Sequence, residues 1–199
     1  MEVIFLVIIL IMSVVIHEVS HGYVADLLGD PTARYAGRLT LNPLKHLDWF
    51  GSVILPALMA LMGGIIFGWA KPVPYNPYNL KAGRWGPAYV AAAGPASNLV
   101  ILLLFSLALK FFGVALPPAA VAIMGLIVLI NLMLAIFNLI PVPPLDGSKI
   151  LFALLPPRWR HVETWLLRYQ WVLIILLLLV LLNSDALGRI IFSLFNWLV

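Results

Sequence analysis

Residues 3–28 read VIFLVIILIMSVVIHEVSHGYVADLL, an otherwise apolar run into which His17, Glu18 and His21 are set. A run of this length is enough for a membrane-spanning helix. On a helix, side chains four apart share a face and sit about 6 Å apart along the axis. His17 and His21 can therefore reach one metal ion while Glu18 projects beside them. His-Glu-x-x-His on a helix is the arrangement of zinc hydrolases, in which the glutamate serves as general base on an activated water. Ionisable groups inside a membrane segment cost about 2.5–3.5 kcal/mol each and tend to mark function. The competing reading has both imidazoles neutral and bonded to neighbouring carbonyls. It leaves Glu18 unexplained.

The composition agrees with a membrane setting. Of 199 residues 63% are hydrophobic and 10% charged, with mean hydropathy +1.07, whereas soluble domains carry about 25% charged residues. These values predict an integral membrane protein built as one compact bundle over residues 1–199. The chain has no cysteine, which excludes disulfides, thiolate zinc sites and cysteine nucleophiles. Its net charge of +4 comes from short loops beside apolar segments, so it speaks to membrane topology and not to nucleic acid. Glu2 precedes the first run and no Lys or Arg does, which argues against a cleaved secretory signal.

Apolar segments near 3–28, 86–112, 119–139 and 166–182 are long enough for membrane helices. Residues 50–68 contain Pro56 and Gly63-Gly64, which suit a short spanning helix or a re-entrant loop. Residues 145–155 form a short helical run, and residues 186–199 either lie in the interface or form a short last helix. The stretches Arg38–Pro43 and Gly68–Pro74 look extended, so a small sheet at the membrane face is expected beside the site. Suppose the first segment starts outside and 50–68 is re-entrant. Arg34, Arg38, Lys45, Lys71, Lys81, Arg84, Lys149, Arg158 and Arg160 then all face the cytoplasm, leaving Lys110 and Arg189 toward the other side. The positive-inside rule favours that topology. It makes the chain a multi-pass protein of the cell membrane, with its site nearer the cytoplasmic side.

A catalytic zinc needs a third protein ligand and an open position. His46 and His161 stand in basic, polar loops where a solvated or interfacial histidine is expected, and Asp26 lies near the helix end, where solvent or loop backbone would meet it. Asp146 differs. It follows Asn138-Leu-Ile-Pro141-Val-Pro143-Pro144-Leu145, where prolines break an apolar helix and leave free carbonyls and a new helix start. An aspartate there can cap a helix; a carboxylate on broken backbone between apolar runs also suits a metal.

His17-Glu18-x-x-His21 on a first membrane helix, with Asn138-x-x-Pro141-x-Pro143-Pro144-Leu145-Asp146-Gly147 on a later one, resembles the site-2 protease family of intramembrane zinc metalloproteases. Ala93-Gly94-Pro95-Ala96-Ser97-Asn98 fits the same pattern. Asn42–His46 and Gly68–Pro74 resemble its compact prokaryotic branch. The resemblance implies an all-α polytopic fold with a three-helix catalytic core over about 3–155, and accessory helices over about 163–199. It implies one Zn2+ held by His17, His21 and Asp146, water activation by Glu18, and transmembrane proteins in the lipid bilayer as substrates. It also implies that Asn138 assists near the scissile carbonyl or orients the substrate strand; read from the residue alone, Asn138 equally suits bonding loose carbonyls at the proline break. Gly94, Pro95 and Asn98 read as a helix-packing motif. Two other functions are compatible with the ligands. A membrane metal-binding protein or transporter would carry acidic or histidine residues on several helices and have no use for Glu18. A non-catalytic protease-like scaffold would lack a ligand or the glutamate.

Overall fold

The structure, a computed structural model, describes residues 2–48, 51, 54, 58 and 71–199. The expected re-entrant or short spanning segment at 50–68 lies outside the described residues. Among the described residues, three helices are long and apolar enough to cross a membrane: Ile4–Leu27, Gly83–Ala115 and Pro118–Leu139. The first belongs to α1 (Glu2–Leu27), which is apolar on all sides, as a helix between lipid and protein should be. After the short α2 (Thr32–Tyr35) come α3 (Gly86–Phe112), α4 (Pro118–Leu139) and α5 (Asp146–Leu154). The chain closes with α6 (Arg160–Arg168), α7 (Gln170–Asn183) and α8 (Ala186–Leu198).

Local chemistry sets the helix ends. At the end of α1, Gly29 takes φ 103°, which costs glycine nothing. The Asp30 N–H donates to Ala25 O and the Gly29 N–H to Asp26 O, a Schellman termination that satisfies orphan carbonyls. Pro87 and Pro118 sit in the first turns of α3 and α4, where a missing N–H does no harm. Helix α4 stops at Leu139, two residues before Pro141.

Helix α3 packs against α1, α4 and α5, and α1 also touches α4. Leu102, Leu109, Val128, Leu132 and Ile191 form one buried cluster, which holds α8 against α3 and α4. The residues 186–199 therefore form a docked final helix. Leu103, Leu104, Leu107 and Phe111 on the outer side of α3 stay exposed, as lipid-facing side chains do. Helices α6 and α7 reach membrane-spanning length and apolarity only together, across a 71° bend. At 14 residues, α7 alone is about 21 Å long, short of the roughly 30 Å hydrocarbon core. Among the described residues the regular structure is all helical, and the chain is a multi-pass membrane protein.

The small sheet is absent among the described residues, and the reason is hydrogen bonding. In 71–74, Pro72 and Pro74 have no N–H. The Lys71 N–H donates to His46 O at 2.9 Å and the Val73 N–H to Glu18 Oε2 at 2.9 Å. No donor is left for a neighbouring strand. In 38–43, Thr40 Oγ1 accepts from Asn42 N, and Asn42 Oδ1 accepts from Leu44 N, so side chains curl the backbone into turns. The two stretches do meet over α1, where Leu39 and Val73 close on Gly22. They meet as loops. His46 is a second correction: it is buried, with Nε2 2.9 Å from Thr40 O, and not solvated.

Asp30 ties this loop layer down. Its fully buried carboxylate accepts from Thr32 N and Oγ1, from Asn76 N at 2.6 Å and from Asn79 Nδ2 at 2.8 Å. Burial alone raises its pKa, but the hydrogen bonds together outweigh that and hold it below the ordinary value. A depressed folded-state pKa contributes stability that is complete above the unfolded pKa and lost as pH falls through the folded one. Asp30→Ala should cost about 3 kcal/mol, since it strands buried donors. Thermal unfolding in nanodiscs should show that loss near neutral pH. The difference from wild type should shrink at acid pH; a constant difference would contradict the account.

Candidate metal centre

The proline break after α4 delivers Asp146 to the first position of α5. Gly147 makes this possible, because a Cβ there would lie 2.2 Å from Leu139 O and 2.6 Å from Ile140 O. Only glycine lets α5 begin against the end of α4. The buried Asp146 carboxylate then faces α1: Oδ2 is 3.2 Å from His17 Nε2 and 3.1 Å from His21 Nε2. These ligand atoms form the group able to hold a metal ion among the described residues. His46, His161 and Asp26 are not part of it; Asp26 instead pairs with Arg34.

The residues fit zinc. Tetrahedral bonds of about 2.0–2.1 Å put neighbouring ligand atoms about 3.3 Å apart, close to the separations found. The imidazole orientation agrees. His21 Nδ1 lies 2.7 Å from Val90 O, and a carbonyl can only accept, so Nδ1 carries a proton and, in the neutral ring, Nε2 has the lone pair. His17 Nδ1 lies 2.5 Å from Asn98 Oδ1 and donates likewise. With both rings neutral, two imidazole lone pairs and a carboxylate oxygen converge, an arrangement that suits a cation. Backbone and amide partners on ligating histidines are what metal sites use to fix tautomer and direction. Lys149 Nζ lies 3.5 Å from the other carboxylate oxygen, Oδ1, which leaves Oδ2 to the centre.

Gly94 supplies the room. A Cβ on it would stand 2.5 Å from both His17 Nε2 and His21 Nε2, so α3 presents bare backbone where the ligand atoms meet. Gly94 and Asn98 thus serve the site directly, beyond the packing expected of them. Sequence reasoning does not single out Asn131, whose Oδ1 accepts from Asn98 Nδ2 at 2.8 Å. An amide in the middle of the apolar run 118–139 is the available signal.

Glu18 is half-buried beside the histidines, its Oε2 holding the Val73 amide. Asn138 sits in the last turn of α4, where its Nδ2 donates to Leu134 O at 3.0 Å. That is the carbonyl-bonding arrangement its position allows, and its oxygen is not spent on that bond. His17 lies ten residues before the end of α1, about 15 Å below it.

The model for peptidase family M50 matches residues 115–182. The chain is 40% identical over 190 residues to "Putative zinc metalloprotease YwhC" of Bacillus subtilis, covering 92% of this chain and 84% of that protein. It is 32% identical over 190 residues to "Putative zinc metalloprotease Rip2" of Mycolicibacterium smegmatis, covering 94% and 70%. A more distant similarity, 26% over 159 residues, reaches "Zinc metalloprotease MJ0392" of Methanocaldococcus jannaschii, covering 80% of this chain and 37% of that one. No solved structure matches the chain. With matches of this identity along nearly its whole length, the chain belongs to peptidase family M50, the site-2 proteases.

Proposed function

We infer that this chain is an intramembrane zinc metallopeptidase that cuts peptide bonds in or near the transmembrane segments of membrane proteins. The observation that carries the reading is the meeting of His17, His21 and Asp146 atoms within 4.8 Å of one another, beside Glu18. His17, His21 and Asp146 would hold a zinc ion, which would supply polarisation of a carbonyl and bring the pKa of water toward neutrality. Glu18 takes a proton from the attacking water and delivers it to the leaving amine. The Val73 amide occupies Oε2, which leaves Oε1 for that proton.

Asn138 is the proposed donor to the substrate, through Nδ2 released from Leu134 O, either at the developing oxyanion or along the substrate strand. A scissile bond within a helix is shielded by its own hydrogen bonds, so the substrate unwinds locally before attack. The basic residues Arg34, Arg38, Lys45, Lys81, Arg84, Lys149, Arg158 and Arg160 flank the site-proximal ends of the spanning helices, which supports a centre opening toward the cytoplasm. Residues 1–199 are read as one membrane-embedded peptidase domain, with the core over about 3–155 and accessory helices over about 163–199. The transporter and scaffold readings leave Glu18 without a role.

The test is to incubate the purified chain in detergent or nanodiscs with a panel of single-span membrane peptides and map products by mass. Cuts within or at the edge of the apolar segments, abolished by chelation and restored by zinc, are expected. Cleavage that persists without metal would contradict the reading.

A further inference from the structure

A chain of side-chain amides runs from the candidate centre into the middle of the bundle. His17 Nδ1 meets Asn98 Oδ1, Asn98 Nδ2 donates to Asn131 Oδ1 at 2.8 Å, and Asn131 Nδ2 donates to Ile127 O at 2.9 Å and to Ser13 Oγ at 3.0 Å. Asn98 and Asn131 are both fully buried, and the links join α1, α3 and α4. The chain of bonds has a direction. An amide can turn over and exchange its oxygen for its nitrogen, and a histidine can move its proton between ring atoms. A backbone carbonyl has no such choice. Ile127 O can only accept, so Asn131 must turn its NH2 toward it and its oxygen toward Asn98. Asn98 must then present its NH2 to Asn131 and its oxygen to His17. The proton of His17 is thereby held on Nδ1, and Nε2 keeps the lone pair that a metal requires. For His21 the Val90 carbonyl does this directly; for His17 the carbonyl acts through two amides. Ser13 can either donate or accept, so it fixes nothing.

We propose that Asn131 is a positioning residue for the zinc site: it transmits the polarity of the Ile127 carbonyl through Asn98 and locks the metal-binding tautomer of His17. The inference rests on the zinc-peptidase reading of the centre. Its signature is a dependence on what stands at position 98. With asparagine there, Asn131→Leu frees the Asn98 amide to turn its NH2 toward His17, which favours the wrong tautomer. With aspartate there, only acceptors face His17, and the tautomer needs no help. The second carboxylate oxygen introduced by Asn98→Asp would also oppose Asn131 Oδ1, acceptor to acceptor, and Asn131→Leu removes that clash.

The experiment measures zinc affinity of the full chain in detergent, by competition with a chromophoric chelator, for both backgrounds. Asn131→Leu should weaken zinc binding by about 10–100-fold in the parent, the range for lost supporting contacts at metal sites, and should not weaken it in Asn98→Asp. Ser13→Ala should cost less than about threefold. Val128→Ala, a fully buried residue on the same helix, should lower the thermal midpoint while leaving zinc affinity as it is. If Asn131→Leu does not yield folded protein, Asn131→Ala takes its place in the same cycle. An equal loss in both backgrounds, or a loss matched by Val128→Ala, would overturn the relay while leaving the peptidase reading intact. A wild-type chain that binds no zinc would overturn both.

Discussion

Glu18→Gln should lower cleavage of a single-span peptide by about 10²–10⁴-fold, the usual worth of a positioned general base, without changing zinc content. Glutamine has nearly the size of glutamate but cannot take a proton near neutral pH. It can still accept from the Val73 N–H through its amide oxygen, so the loop over α1 keeps its anchor. Glu18 is not among the atoms that converge with Asp146, so the ligand set is untouched. Turnover and metal content should therefore separate cleanly. A transporter or scaffold would lose nothing measurable. A fall below tenfold, or a parallel loss of zinc, would remove Glu18 from the role assigned to it.

Gly94→Ala should abolish zinc binding in a protein that still folds. Alanine is better than glycine inside a helix by about 1 kcal/mol, so α3 itself gains from the change. The methyl group, however, would stand 2.5 Å from the Nε2 atoms of both histidines. The imidazoles are the ends of side chains and can swing aside at the cost of their bonds to Asn98 and Val90, which is why the fold survives. They cannot do so and keep bonds near 2.0–2.1 Å with a tolerance of about 0.2 Å. Zinc affinity should fall by at least about 100-fold, and peptide cleavage with it. Wild-type affinity with a normal thermal midpoint would show that α3 does not crowd the centre as described.

The parts of this molecule that are legible in its sequence are those written locally. The three long helices follow from apolar runs at 3–28, 86–112 and 119–139, and the His17–His21 pair from a spacing of four. Asp146 stands out because prolines break an apolar run just before it. Among the described residues the expected sheet fails for a reason also present locally: Pro72 and Pro74 leave 71–74 two amide donors, and both are taken, by Glu18 and His46; residues 68–70 lie outside the described residues. Gly94 and Asn131 are different. Their importance comes from what α3 and α4 place opposite them, and no periodicity carries that information. An asparagine within an apolar span marks a buried partner without naming it. His46 misleads because its loop composition is polar, while Thr40 and the 71–74 stretch enclose it.

Three side chains from two distant parts of the chain must bind one zinc for any of this chemistry to follow. The most direct test is zinc stoichiometry with X-ray absorption at the zinc edge, on the wild type and Asp146→Ala. One zinc per chain is predicted for the wild type, in a nitrogen and oxygen shell at about 2.0–2.1 Å that includes two imidazoles; Asp146→Ala should lose most of it. Full zinc content without Asp146, or a shell lacking the two imidazoles, would contradict it.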